Sequence, residues 1–312
     1  MRALLIVNPL ATSTTRLRRD VIASALASAV RLEVVETRYR GHAAKLASTA
    51  ASEGYGLVLT LGGDGTVNEA VNGILGADLP AGRAPALAPM PGGSANVFAG
   101  ALGMPRDPVD ATGHVLRALA DRRERTIGLG MADGRYFTFN AGLGLDAEVV
   151  RAVQGLRAHG RPVTPSLYVR LALRQFYRQT DRKQPCIAIE LDGQPPAGPV
   201  FMGIVSNTAP WTYLGSREVH ATPLAGFDTG LDVLALGTMS SLSTMHLIGQ
   251  MLTARNAGAT SVGGRRTLSF HDQAAVTMRA SRPVAFQIDG EYVGEREAVT
   301  FTSVPSALRV VA

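Results

Sequence analysis

In the first half of this 312-residue chain short apolar runs alternate strictly with helix-like segments, and that alternation limits the fold more than any other feature. ALLIV at 3–7 reads as a strand, 17–30 as a helix, LEVVET at 32–37 as a strand and 42–51 as a helix. GLVLTL at 56–61 is then a strand, 67–74 a helix, ALAPM at 86–90 a strand and 95–102 a helix. This order predicts an α/β domain with a mainly parallel, doubly wound sheet. Ligands of such sheets bind beyond the carboxyl ends of the strands, so the loops after residues 7, 37, 61 and 90 are the candidate binding loops.

From about residue 125 the texture changes to strand-like runs separated by Gly, Pro and Asp turns: RYFTFNAG, CIAIELDG, PVFMGIVSN, LDVLALG, AAVTMRA, VAFQIDGE and AVTFTS. Only 166–179 and 241–254 read as helices there, and GQPPAGP at 193–199 reads as a turn-rich loop. The expectation is an α/β domain over 1–125 and an antiparallel, β-rich, sandwich-like domain over 126–312. The last strand is left free to return to the first domain.

Composition adds limits. An apolar content of 46% supports a folded chain with one large or two moderate cores. The single Cys186 excludes an internal disulfide framework and any Cys-rich zinc site. The apolar run at the start is stopped by Asn8 and Pro9, too short for a signal-peptide core, and no stretch approaches a membrane span. A cytoplasmic protein is expected, with membrane contact at most peripheral, at the inner face. The formal charge of +6, from 31 basic and 25 acidic side chains, suits an anionic partner: a phosphate ligand, a lipid surface or a nucleic acid.

Two loops carry the chemistry. In LGGDGTVNEAVNG, Gly62, Gly63 and Gly65 surround Asp64, and Thr66, Val67 and Asn68 follow into a helix. Such a loop lets several N–H groups converge on a phosphate at a helix N-terminus. By itself it reads equally well as a strand-to-helix turn with Asp64 as the helix cap. APMPGGSANVFA at 88–99 repeats the arrangement with Ser94 and Asn96, and two such loops in successive βα units favour phosphate binding. No Lys-Ser or Lys-Thr follows as in a Walker loop, and Asn68 replaces the third glycine of a dinucleotide fingerprint. Asn8, Arg40 and His42 read adequately as turn and cap residues.

GGDGTVNEAVNG and PGGSANVFA, followed in order by FNAGLGLDAEVV, Tyr213-Leu214-Gly215, FDTGLDVLAL and IDGE, resemble the diacylglycerol kinase-like lipid kinases, which include bacterial lipid kinases and sphingosine kinases. The resemblance implies an α/β nucleotide-binding lobe, a β-rich lipid-substrate lobe and an active site in the cleft between them. It implies transfer of the γ-phosphoryl group of ATP to the hydroxyl of diacylglycerol or a similar long-chain lipid alcohol at a membrane surface, with Mg²⁺ as cofactor and no nucleic-acid partner. On the family pattern Thr37, Gly62 through Asn68 and Ser94 surround the nucleotide phosphates, and Glu291 of IDGE is the general base. Asp64 competes with Glu291 as base or holds Mg²⁺. Without the other motifs, Asp289-Gly290-Glu291 would read as a hairpin turn with an exposed acid.

The sequence departs from the family pattern at two places. Gly128 stands where many relatives carry an aspartate, and Thr229 in FDTGLD stands where an acid is expected beside a structural metal, leaving Asp228 and Leu231 as its candidate ligands. Eight basic side chains lie between 151 and 183, with Arg170, Arg174 and Arg178 as a stripe on the expected helix. They read either as a solvated face or as a face toward anionic headgroups. The competing functions are an NAD kinase-like enzyme, which would use the first glycine loop, and a catalytically weak nucleotide or lipid sensor on the same fold.

Overall fold

A computed structural model describes residues 1–77, 79–80, 82–158, 165–179, 184–254, 262–264 and 266–312. The chain divides into two compact units, one formed by Met1–Gly128 with Ser306–Ala312, the other by Leu129–Pro305.

The first unit runs β1 (Arg2–Val7), α1 (Arg16–Ala27), β2 (Arg31–Glu36), α2 (His42–Ser52), β3 (Leu57–Gly62), α3 (Asp64–Leu75), β4 (Ala86–Pro91), α4 (Val97–Ala101) and α5 (Pro108–Ala120), and ends within β5 (Arg125–Ala132). Its strands pair in the order β2-β1-β3-β4, all parallel. Val310, near the end of the chain, adds a further parallel partner opposite Leu87 of β4. Every residue of β3 and β4 is buried, as expected of parallel strands covered on both faces. β2 lies at the edge, and its exposed Arg31, Glu33 and Glu36 discourage pairing with another chain. Asp107 caps α5, accepting from the N–H groups of Val109 and Asp110, and Pro108 follows at the first helical position.

Two helices differ from expectation. α3 begins at Asp64 rather than near 67. α4 holds five residues rather than the run 95–102, because Asn96 adopts a left-handed backbone (φ 52°) that a right-handed helix cannot contain.

The second unit continues with β6 (Arg135–Phe137), β7 (Asn140–Gly144), α6 (Leu145–Ala158), α7 (Pro165–Arg174), β8 (Ile187–Glu190), β9 (Ala197–Val200) and β10 (Met202–Ser206). It is completed by β11 (Thr212–Leu214), β12 (Arg217–Val219), β13 (Leu231–Leu236), α8 (Ser241–Thr253), β14 (Thr267–Gln273), β15 (Ala275–Ile288) and most of β16 (Glu291–Val310). The strand order is β14-β13-β10-β7-β15-β16, antiparallel throughout, with β8 and β9 added beside β15. Period-two alternation sends Val205, Val233 and Phe286 to one core, where Phe301 meets Phe137 and Phe286 edge to face at 6.4 and 6.1 Å. Ile204 and Leu234 point to the opposite core, against Leu145 of α6 and Leu247 and Met251 of α8.

The β-rich expectation missed α6. Gly144, at φ +85°, ends β7, and the helix that follows buries Leu145, Val149, Val150 and Val153. The glycines of FNAGLGLD hid that helical spacing. The helix expected over 166–179 is α7 followed by a π-helical turn at Gln175–Gln179. Leu173 is exposed, whereas Phe176 is buried in the second core. The loop expected at 193–199 contributes Ala197–Val200 as β9.

Candidate functional site

Asn8, Thr37, Gly62-Gly63 and Gly92-Gly93 sit at or just past the carboxyl ends of β1, β2, β3 and β4. Neighbouring strands lie about 4.8 Å apart, so these four points form a row about 15 Å long on one edge of the sheet. Thr37 donates its N–H to Val7 O (2.8 Å), and Asn8 donates its N–H to Leu61 O (2.9 Å), which fixes the row strand by strand. Thr37 also lines a groove of about 550 Å³ with Arg19, Glu36 and Arg38.

The two glycine loops pack backbone to backbone. A Cβ on Gly93 would lie 2.5 Å from Gly63 Cα, and one on Gly92 would lie 2.8 Å from Gly62 N. The side chains nearby shape the loops. Asn96 Oδ1 accepts from Gly93 N and its Nδ2 donates to Gly93 O, both at 2.8 Å, closing the second loop on itself. Asn8 Nδ2 donates to the Thr66 hydroxyl (3.2 Å), while Asn8 Oδ1 accepts from Leu10 N (3.0 Å). Asp64 does not cap its own helix: α3 has Gly63 at its N-cap and no side-chain cap bond. Asp64 Oδ1 instead accepts from Phe98 N (3.2 Å), in the first turn of α4, tying one loop to the other.

The sequence-selected residues therefore separate by role. Val67 and Asn68 are buried, and Asn68 accepts through Oδ1 from Asn72 Nδ2 (3.3 Å), so their side chains face inward. Ser94 and Gly65 are exposed, and nothing lies within 4 Å of a Cβ built on Gly65. Beyond Asn68 the motif turns structural: Glu69 accepts from Gly41 N (2.8 Å) and Ala43 N (3.1 Å) and so caps α2 across a separation of 26 to 28 residues.

In the second unit β15 and β16 form a hairpin whose turn is Asp289-Gly290, with φ +47° and +72°, the pair of positive angles of a type I′ turn. The acid at the tip of the turn is not exposed. Asp289 is 6% exposed and accepts from Thr138 N (2.7 Å), Thr138 Oγ1 (2.8 Å), Phe139 N (3.0 Å) and Asn140 N (3.2 Å). Gln287 adds a second clamp: Oε1 accepts from Gly290 N (2.9 Å), and Nε2 donates to Asn140 Oδ1 (2.8 Å) and Asp146 Oδ2 (2.9 Å). Burial pushes the Asp146 carboxyl up to about 6, opposed by that bond from Gln287. Glu291, the next residue after the turn, is held at 2.6 Å by Arg135 Nη2. Arg135 lies 156 positions away in sequence, and no spacing signal pointed to it.

Asp228 is exposed, and Leu231 is buried at the start of β13. The Thr229 hydroxyl donates to Gly226 O (3.0 Å) and Gly230 O (3.3 Å) and accepts from Gly226 N (3.3 Å), which closes this turn on itself. Among the described residues no group of three or more His, Cys, Asp and Glu side chains is arranged to hold a metal ion. Gly128 is buried within β5. Of the basic stretch, Arg151 pairs with Glu295 (3.0 Å) and Arg170 and Arg174 are exposed, while Arg161, Arg182 and Lys183 lie outside the described residues. No helix among the described residues is long and apolar enough to cross a membrane.

Residues 2–132 match the diacylglycerol kinase catalytic domain. A diacylglycerol kinase of Bacillus subtilis is 28% identical over 274 residues, covering 83% of this chain and 78% of the relative. One from Staphylococcus aureus is 27% identical over 262 residues, covering 83% and 75%. The crystal structure of a diacylglycerol kinase from Bacillus anthracis superposes with a TM-score of 0.72 at 19% identity, covering 99% of this chain and 96% of the other. An NAD kinase from Archaeoglobus fulgidus, solved in complex with ATP, is more distant, with a TM-score of 0.53 at 11% identity over 100% of this chain and 94% of the other.

Proposed function

We propose that the chain is a diacylglycerol kinase-like lipid kinase that transfers the γ-phosphoryl group of ATP to the hydroxyl of diacylglycerol or a similar long-chain lipid alcohol, a reading supported by the match of residues 2–132 and by the similarity to bacterial diacylglycerol kinases. The observation that carries this reading is Gly65. Neither a positive φ nor a close neighbour accounts for a glycine there, and in a helix it costs about 1 kcal/mol relative to alanine. A phosphate lying directly on the backbone at the start of α3 would account for it.

In this reading the Gly65 N–H, the Thr66 hydroxyl and Ser94 meet the β- and γ-phosphates, while the Thr66 and Val67 N–H groups bond Gly63 O. Thr37 lies two strands further along the row, toward the rest of the nucleotide. Asp64 fits Mg²⁺, which takes one or two carboxylates together with phosphate oxygens and water; when bound, the ion neutralises charge on the transferring group. At the turn holding Asp228 and Leu231 the Thr229 hydroxyl, where a carboxylate was expected, bonds backbone carbonyls and brings no charge to a cation. Glu291 takes the proton of the acceptor hydroxyl. Arg135 orients that carboxylate, and the Asp289 clamp fixes the turn that presents it.

The test is transfer of label from γ-labelled ATP, with Mg²⁺, NAD and diacylglycerol in mixed micelles. Label in phosphatidic acid is expected, and Glu291→Gln should reduce it at least 100-fold while ATP still binds. Label appearing only in NADP would replace the lipid-kinase reading. Gly65→Ala should leave the melting temperature unchanged or slightly raised and should raise KM for ATP at least tenfold; an unchanged KM would remove the phosphate from this position.

A further inference from the structure

We infer that α8 is a membrane-docking helix, whose outward face inserts into the headgroup region of an anionic bilayer. The sequence SLSTMHLIGQMLT carries no Asp, Glu, Lys or Arg in thirteen residues. Surface helices ordinarily place charge on their outer face. Here Leu247 and Met251 point inward to the second core, while Leu242, Met245 and Ile248 remain 82%, 68% and 47% exposed. At about 100° per residue these three and Gly249 fill a continuous arc of about 120°, so the exposed apolar atoms form one stripe.

The surroundings of α8 select a lipid surface over other occupants. Arg217 is anchored beside the end of α8, donating to Leu252 O from Nε (3.1 Å) and Nη2 (2.8 Å), and its guanidinium stays exposed. The segment after α8 is tied to it by the bond from Gly263 N to Gln250 Oε1 (3.0 Å), and Arg266, three residues further on, is also exposed. An apolar stripe flanked by guanidinium groups is the pattern that enters acyl chains while pairing with anionic headgroups. A stable dimer needs roughly 800 Å² and 20–30 residues from each partner, far more than this stripe supplies. Partial insertion needs only a few side chains reaching about 5–10 Å below the surface. The choice of a bilayer over a protein groove also rests on the lipid-kinase reading.

The test is co-sedimentation of the full chain with phosphatidylglycerol–phosphatidylcholine vesicles that contain no diacylglycerol and no ATP, so that docking is read apart from catalysis. The Leu242→Gln/Met245→Gln double variant should melt like the wild type, since both side chains are mostly exposed, and should partition at least tenfold less onto vesicles. It should phosphorylate short-chain, monomeric diacylglycerol at the wild-type rate but long-chain diacylglycerol in vesicles more slowly. Equal partitioning of variant and wild type would overturn the proposal, as would a change in the variant from dimer to monomer with vesicle binding intact, which would assign the face to a second copy. Failure of all phosphorylation with α8-dependent vesicle binding preserved would sink the activity and leave the docking surface standing.

Discussion

Asp146 is a fully buried carboxyl in the same hydrogen-bonded group as Gln287 and Gly290, one residue before Glu291. Its folded-state value, about 6, lies above the ordinary 3.8, so between those values the folded chain binds more protons than the unfolded one. Stability from this group is therefore full below pH 4 and is lost as pH rises toward 6 and beyond. Asp146→Asn should remove that loss. The stability difference between variant and wild type should shift in favour of the variant by roughly 3 kcal/mol between pH 3.5 and pH 8, measured by urea melts. A pH-independent difference would show that the carboxyl is solvated. At this scale the sequence singled out Asp64 by its setting of glycines, and Glu291 only through the family resemblance. It was silent on Arg135 and on the bonds from Gln287 to Asn140 and Asp146, because those partners are set by strand register rather than by neighbours along the chain.

Helices α2 and α3 illustrate the next scale. A Cβ on Gly73 would sit 2.1 Å from Ala44 O, so the two helices approach backbone to backbone at that point. Gly73→Ala should cost about 1–3 kcal/mol by forcing them apart, against the gain of up to about 1 kcal/mol that alanine brings to an unobstructed helical site. Thermal melting of the variant decides it, and an unchanged midpoint would mean that the pair separates freely. The same stretch holds residues whose role the sequence did not show. GGDGTVN shapes a loop, but Glu69 caps α2 and Gly73 admits its backbone, so the rest of the run serves packing. Strands with continuous apolar runs were read correctly, whereas α6 was missed because glycines precede it and strand-like residues open it.

Across the whole molecule the chain leaves the first unit within β5 and returns at Ser306. The returning residues are few but buried: Leu308 is 1% exposed, and Val310 and Val311 are both 0%. Val311 N donates to Leu87 O (2.9 Å), and Arg309 donates to Glu124 Oε2 (3.0 Å) and Ala84 O (2.6 Å). Ending the chain at Pro305 removes three core side chains worth roughly 1.5–3 kcal/mol each, comparable to the total stability of a domain. Such a truncation should leave the first unit sensitive to protease at 25 °C while the full chain resists. Equal resistance would show that the first 128 residues fold without the return.

The sequence by itself determined the alternating α/β half, the change to antiparallel strands and the two glycine loops, whereas the candidate base came from the family resemblance. The first three follow from local periodicity and from residue types that few backbones tolerate. Only the tertiary structure decided that the glycine loops pack on each other, that Asp64 bonds the first turn of α4, and that Asp289 is the buried anchor of the turn presenting Glu291. Those contacts join residues 30 to 150 positions apart, and their partners are chosen by strand order and helix packing, which no local pattern encodes.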